Sequence, residues 1–324
     1  MRKNRRLLRF FFAFKNRKGG SVMKNYKHKN REDVAEEIVG IVKKLEEGVL
    51  NVYDSENYKA WLDMFSKFYQ YSFNNTILIC MQKPEATLCN SFVRWKSLGR
   101  TVKKGAKGIK ILCPVKFKYQ QEQEVLENGL PVLSKDGTKQ TELVTKEGLH
   151  FKIGHIFDVS DTEGDELPSI TKKLEESPEL LKRVIEQIRS QSDVPIEFDN
   201  SLGEDDAFGY YQIVEKRIGI RTNLSSLHTC KTIVHELAHS ILHADMNNKI
   251  SKSDKEIQAE SVAYVTLNYF GFDTSDYSFP YVASYSNGKD VSELKESLQI
   301  IERCSRNLID WLCEKTDLSQ VFEV

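Results

Sequence analysis

Apolar residues recur at helical spacing in the first third of the chain. Val34, Ile38, Ile41, Val42 and Leu45 share one face between Arg31 and Leu50, the 3.6-residue period of an amphipathic helix. From Tyr58 to about Tyr71, Trp61, Met64, Phe65 and Phe68 form a second stripe, which predicts a helix buried along that side. Asn74-Asn75 stands before a short apolar run, Ile77, Leu78, Ile79 and Met81, and predicts a capped third helix. From Ser91 the texture changes to strands and glycine turns, with Phe92-Val93-Arg94-Trp95 and Ile109-Lys110-Ile111-Leu112 as the apolar runs. Residues 120–148 are polar and carry turn signals at Asn128-Gly129 and Asp136-Gly137, so they read as a hairpin or mobile insertion. A strand is expected at Phe151–Val159.

The acidic, turn-rich stretch from Asp161 to Pro168 marks the expected domain boundary. Beyond it come a helix from about Ile170 to Arg189 and strands at Pro195–Phe198, Gly209–Glu215 and Ile218–Arg221. Helices over Thr232–Leu242, Asp254–Phe270 and Val291–Trp311 complete the pattern. The expected fold class is α+β in two domains, 31–165 with mixed helices and strands and 166–324 built around the later helices, after a basic leader, 1–30.

Composition adds a compartment and an asymmetry. A chain of 324 residues, 40% of them hydrophobic, can build a core in each of two domains. Net charge is zero, but residues 1–31 hold twelve of the 47 Lys and Arg and none of the 47 acids, so the remainder is net acidic by twelve. The leader's apolar stretch, Leu7 to Phe14, is broken by Arg9, followed by more bases, and lacks a small-residue cleavage site. It is a poor signal peptide and too short to span a membrane. Lys18-Gly19-Gly20 before Met23 is what a purine-rich ribosome-binding site encodes when read in frame, which makes Met23 the expected start. The six cysteines form no CxxC or paired framework, as expected for free thiols in a reducing cytoplasm.

Candidate chemistry is concentrated on the Thr232–Leu242 run, which contains His235-Glu236-Leu237-Ala238-His239. Residues four apart stack one turn above the other, so both imidazoles face one side and can grip one metal ion. Glu236, beside the first of them, is placed to act as general base toward water. Ile233, Val234, Leu237, Ala238, Ile241 and Leu242 keep the helix apolar, as a helix crossing a buried site should be. His243 extends the row, but it lies eight residues from His235, about 12 Å along a straight helix. One ion cannot bind all three, and the metzincin spacing is absent, so His243 is read as packing or as support for a ligand. On the following helix Glu256 and Glu260 are again one turn apart, and one can bind the ion while the other holds a ligand imidazole in its metal-binding tautomer. Their order resembles the gluzincin arrangement, which implies Glu256 as third ligand and Glu260 as its support, with the reverse open. One zinc ion per chain is the expected cofactor. Tyr264, Tyr281 and Tyr285 are candidates for stabilising an oxyanion. A strand at Lys216–Arg221 would suit an edge that pairs with an extended peptide substrate.

Between Ala86 and Gln121 stand nine basic residues and no acid: Arg94, Lys96, Arg100, Lys103, Lys104, Lys107, Lys110, Lys116 and Lys118. Interleaved with Phe92, Trp95, Phe117 and Tyr119, they are what a phosphate-tracking groove with base-stacking platforms requires. The alternative is a solvated basic face over buried aromatics. The nucleic-acid-binding candidates are Arg94, Trp95, Lys96, Arg100, Lys103, Lys104, Lys107 and Lys110.

Two segments together resemble a known family. Met64 to Phe68, Tyr71 to Asn75, Gln82 to Thr87, Trp95, Leu98-Gly99-Arg100 and Lys103 to Ile109 are similar to the N-terminal single-stranded-DNA-binding domain of ArdC-type antirestriction proteins. Phe157 to Gly164 resembles the segment that closes that domain. HELAH, Ala259 to Tyr264 and Asp273 to Tyr281 resemble the family's zincin-like metallopeptidase half. The resemblance implies a protein of a mobile element that binds single-stranded DNA, hydrolyses an unknown protein substrate and protects incoming DNA from restriction; from the thiols and the short leader, a cytoplasmic location and no membrane partner are expected. Two other functions stay open: a protein that coats single strands with a structural or inactive zinc site, and a regulatory protease that cleaves a repressor or restriction subunit.

Overall fold

The computed structural model describes residues 37–316 except 42, 45–46, 50–54, 128–129, 135, 168–177, 204–206, 246–249, 273 and 275–288. The basic leader, Met23, Tyr281 and Tyr285 lie outside the described residues. The chain divides into a unit Met1–Gly48, whose described positions are helical, and a unit Val49–Val324. Everything that follows belongs to the second unit.

Helix α1 (Ser55–Lys67) buries the stripe its period announces: Tyr58, Trp61, Leu62 and Phe65 are each at most 2% exposed. Phe65 meets Trp61 edge-on at 3.8 Å between ring centroids and stacks on Phe73 at 5.9 Å, so α1 and α2 (Phe73–Gln82) close over an aromatic core. Ser72, not Asn74-Asn75, occupies the N-cap of α2. Asn75 is turned sideways instead. Its amide donates to the Leu112 carbonyl at 3.0 Å and accepts the Leu112 N–H at 2.8 Å. Two turns later Gln82 does the same to Lys110, at 2.9 Å in both directions.

Next come β1 (Cys89–Ser91), α3 (Phe92–Ser97), β2 (Arg100–Val102), β3 (Ile109–Glu124), β4 (Leu126–Glu127), β5 (Leu130–Pro131), β6 (Thr141–Asp158) and β7 (Thr162–Gly164). β1 and β3 flank β6, and both pair with it antiparallel. β3 is therefore an edge, and the Asn75 and Gln82 amides occupy backbone groups that β6 leaves unpaired. The expected strand at Phe92–Trp95 is helical because the Ser91 hydroxyl accepts the Arg94 N–H and starts a turn. The polar 120–148 stretch is the outer half of a long two-stranded arm. β3 and β6 stay paired as far as Glu124 and Thr141, and the arm is polar because solvent reaches both of its faces. Asp158, 1% exposed, ties the base of the arm: its carboxylate accepts the N–H groups of Thr87, Leu88 and Ser160 at 2.7, 3.1 and 3.0 Å. Part of the acidic stretch after it is β7, which pairs with β2.

The second domain holds α4 (Pro178–Gln191), β8 (Ile196–Asp199), β9 (Gly209–Gln212), β10 (Arg217–Arg221), α5 (Ser226–Leu242), α6 (Lys252–Tyr269) and α7 (Val291–Lys315). Its sheet runs β8-β10-β9, with β10 parallel to β8 and antiparallel to β9. α5 packs on β9, β10 and α6, while α6 also packs on α7 and on α1 of the first domain. Polar pairs pin that last contact: the Tyr58 hydroxyl meets the Ser261 hydroxyl at 2.7 Å, and Tyr264 donates to Asp63 at 2.6 Å. The architecture is α+β in two domains, with α6 of the second packed on α1 of the first. Among the described residues no helix is long and apolar enough to cross a membrane.

Candidate metal centre and nucleic-acid surface

The candidate metal centre lies where α5 packs on α6. The Ser225 hydroxyl caps α5 by accepting the His228 N–H, and the Ser251 hydroxyl caps α6 by accepting that of Asp254. His235 and His239 then point the same way from successive turns, toward Glu256 near the start of α6. His235 Nε2 and His239 Nε2 stand 3.1 Å apart, and Glu256 Oε2 lies 3.4 Å from the first and 3.6 Å from the second. A tetrahedral zinc with bonds of about 2.0–2.1 Å sets its ligand atoms about 3.3–3.4 Å apart. The triangle therefore fits one face of such a tetrahedron, and all three residues border a cleft of ≈ 1010 Å³.

The carboxylates set the charge balance of the metal-free site. Burial disfavours a charged His235, but the Glu256 and Glu260 carboxylates outweigh it and raise its pKa to about 9. Glu256 is held far below the ordinary carboxylate range by its hydrogen bonds to His235 and His239, against the cost of burial. Glu260 sits behind the triangle. One oxygen reaches His235 Nδ1 at 3.2 Å and the other the Lys231 ammonium at 2.5 Å, so it bonds the ring nitrogen that does not face Glu256. Glu236 lines the cleft, 6% exposed. Burial pushes its pKa up, the two imidazoles oppose that, and its carboxylate accepts the Tyr211 backbone N–H from β9.

Among the described residues β9, not β10, is an edge strand of the sheet beside this cleft. The expected substrate edge at Lys216–Arg221 is overturned because β10 is paired on both sides. Gly209 lets β9 approach α5, since a Cβ there would stand 2.7 Å from the Thr232 methyl. Tyr264 is not an oxyanion group: it is 3% exposed and its hydroxyl bonds Asp63 on α1.

The basic residues of the first domain divide into two sets. Arg94, Lys96, Lys104 and Lys107 are exposed. Trp95 is 0% exposed and donates its indole N–H to the Phe157 carbonyl at 2.8 Å, so it is core and cannot stack on a base. Arg100 is committed internally, its guanidinium bonding the Thr162 hydroxyl and carbonyl and the Gly164 and Asp165 carbonyls, which fastens β7. Lys103 is exposed but donates to the Ser160 carbonyl, and Lys110 is half-buried over its bond to Gln82.

Pairing supplies what charge counting missed. On one face of the arm Phe117 lies 5.8 Å from Tyr119 and 5.4 Å from His150, ring centroid to ring centroid. The Phe117 ring covers Gly148, where a Cβ would come within 2.4 Å of it. Lys152 and Lys146 share that face, opposite Cys113 and Tyr119 in the register. No local signal in β6 reveals this, because its lysines alternate with acids and meet the aromatics only through pairing.

The comparisons with known proteins follow the same division. Residues 28–157 match the N-terminal domain of anti-restriction factor ArdC, and residues 189–301 match the IrrE N-terminal-like domain, a peptidase family. An uncharacterized protein of Bacillus anthracis is 27% identical over 321 residues, covering 90% of this chain; the chain spans about half, 54%, of that relative's length. The solved metal-free structure of the antirestriction ArdC protein from the R388 plasmid is 18% identical, with a TM-score of 0.46, covering 84% of this chain and 97% of that one. Its Mn(II)-bound structure is 16% identical with the same TM-score and coverage.

Proposed function

We propose, for a chain that joins an ArdC N-terminal domain to an IrrE-like peptidase domain, that it is an antirestriction protein of a mobile element that binds single-stranded DNA and hydrolyses a protein substrate at a zinc centre. The observation that carries this reading is the triangle of His235, His239 and Glu256 at the wall of a cleft that Glu236 also lines. Zinc bound there supplies Lewis-acid polarisation of a substrate carbonyl and acidifies a water.

The protein's own groups do the rest. Glu260, braced by Lys231, keeps the His235 proton on Nδ1 and its lone pair toward the ion. The edge strand β9 offers backbone groups to an extended peptide, and Tyr211 N–H holds the Glu236 carboxylate beside that edge. Burial raises the basicity of Glu236, which suits a group that takes a proton near neutral pH. In the other domain, exposed Arg94, Lys96, Lys104 and Lys107 supply phosphate contacts, and Phe117, Tyr119 and His150 supply stacking faces.

That platform owes nothing to the metal centre, and it favours a second reading in which the protein protects DNA by coating it. Glu236→Gln separates the two. The variant is expected to keep zinc, measured by metal analysis, and to keep its affinity for an oligothymidylate. If restriction protection in cells disappears with it, proteolysis is required; if protection survives, the coating reading stands and the proteolytic one falls. Phe117→Ala is expected to weaken oligothymidylate binding by about 1–3 kcal/mol.

A further inference from the structure

From His239 an unbroken line of hydrogen-bonded side chains runs through α6 to α7, beginning with His243, which also borders the cleft. His239 Nδ1 lies 2.9 Å from His243 Nδ1, and His243 Nε2 lies 3.0 Å from the Gln258 carbonyl oxygen. The Gln258 amide nitrogen lies 3.0 Å from the Ser297 hydroxyl. His243 and Gln258 are each 3% exposed and Ser297 is 5% exposed. We propose that His243, Gln258 and Ser297 are positioning residues that fix His239 in the one tautomer able to bind the metal. The proposal rests on the metal-centre reading above and extends it to residues outside the ligand set.

Each proton in the line is determined by the one before it. His239 turns Nε2 toward His235 and Glu256, so the lone pair must be there and the proton on Nδ1. His243 Nδ1 must then accept, which puts the His243 proton on Nε2. That N–H donates to the Gln258 oxygen, and the Gln258 nitrogen donates to Ser297. An amide is suited to this place because it presents an acceptor on one side and a donor on the other. The two ligand imidazoles are thus supported differently, His235 by a carboxylate and His239 by a neutral ring. It also accounts for His243, which is too far along α5 to share the ion with His235.

The test measures Zn(II) affinity of the full chain by competition with a chromophoric chelator, alongside the visible spectrum of the Co(II)-loaded protein and thermal unfolding of the metal-free protein. His243→Leu is expected to lose about 10–100-fold in affinity, the range for partners of metal-bound histidines, and to alter the Co(II) spectrum. His243→Asn, whose side-chain oxygen takes the place of Nδ1 as acceptor, is expected to recover most of the affinity. Gln258→Met is expected to lose several-fold at an unchanged metal-free unfolding temperature, and it decides the matter if His243→Leu does not fold. Wild-type affinity in both His243→Leu and Gln258→Met overturns the proposal, as does His243→Asn binding no better than His243→Leu. A wild-type chain that binds no zinc overturns the metal-centre reading and the proposal with it.

Discussion

The metal centre and the basic surface of the first domain differ in how much freedom their chemistry leaves to the chain. An ion requires several donor atoms within a few ångströms of one point. Two helices supply them, His235 and His239 one turn apart on α5 and Glu256 on α6, with Glu260 one turn further on behind His235. A polyanion requires only accessible cations and flat rings, which many arrangements provide. Trp95 and Arg100 stand in the midst of exposed lysines, yet one is core and the other fastens a strand. Lys146, His150 and Lys152 come to the stacking face from a strand that also carries acids. A convergent site is written in local spacing, whereas an extended surface is written in register and burial.

The largest effect that tests this contrast belongs to the metal centre. Glu236→Gln is expected to lower hydrolysis by about 10²–10⁴-fold, the contribution of a positioned general base, with zinc content unchanged. A residual rate near wild type would remove Glu236 from the chemistry. In the basic stretch, Trp95→Ala is expected to destabilise by about 3–5 kcal/mol in denaturant unfolding. Its neighbours Arg94→Ala and Lys96→Ala are expected to stay within about 0.5 kcal/mol of wild type. Equal effects would erase the distinction between core and surface drawn there.

Acid should act on the base of the arm. Burial pushes the Asp158 carboxyl pKa up, but its bonds from Ser160, Thr87 and Leu88 win and depress it. A depressed folded-state pKa gives stability that is present above the unfolded value, about 3.9, and is lost as pH falls through the lower folded value. Asp158→Asn is expected to be less stable at pH 7 by about 1–3 kcal/mol and to lose that acid-dependent component; unfolding measured between pH 2 and 7 checks both. The smallest effect is expected from the phosphate contacts. Replacing Lys104, Lys107 and Lys152 with Gln should weaken oligothymidylate binding several-fold and make its salt dependence shallower by about 2 in log–log slope. An unchanged slope would move the DNA path elsewhere.

Periodicity alone placed α1, α5, α6 and α7 and set the two pairs of metal-centre residues on common helix faces, because helical spacing is a local property. It also excluded His243 as a ligand by distance. Local pattern could not show that Ser91 starts a helix in an apolar run, that Asn75 and Gln82 clamp the edge of β3, or that β9 is an edge strand beside the cleft. Each of those depends on a partner far along the chain. Neither could it choose between Glu256 and Glu260, which are equivalent by spacing. Only the packing of α5 on α6 gives one of them a place beside both Nε2 atoms and the other a place behind His235, next to Lys231. Helix geometry determines which residues share a face; packing determines what that face meets.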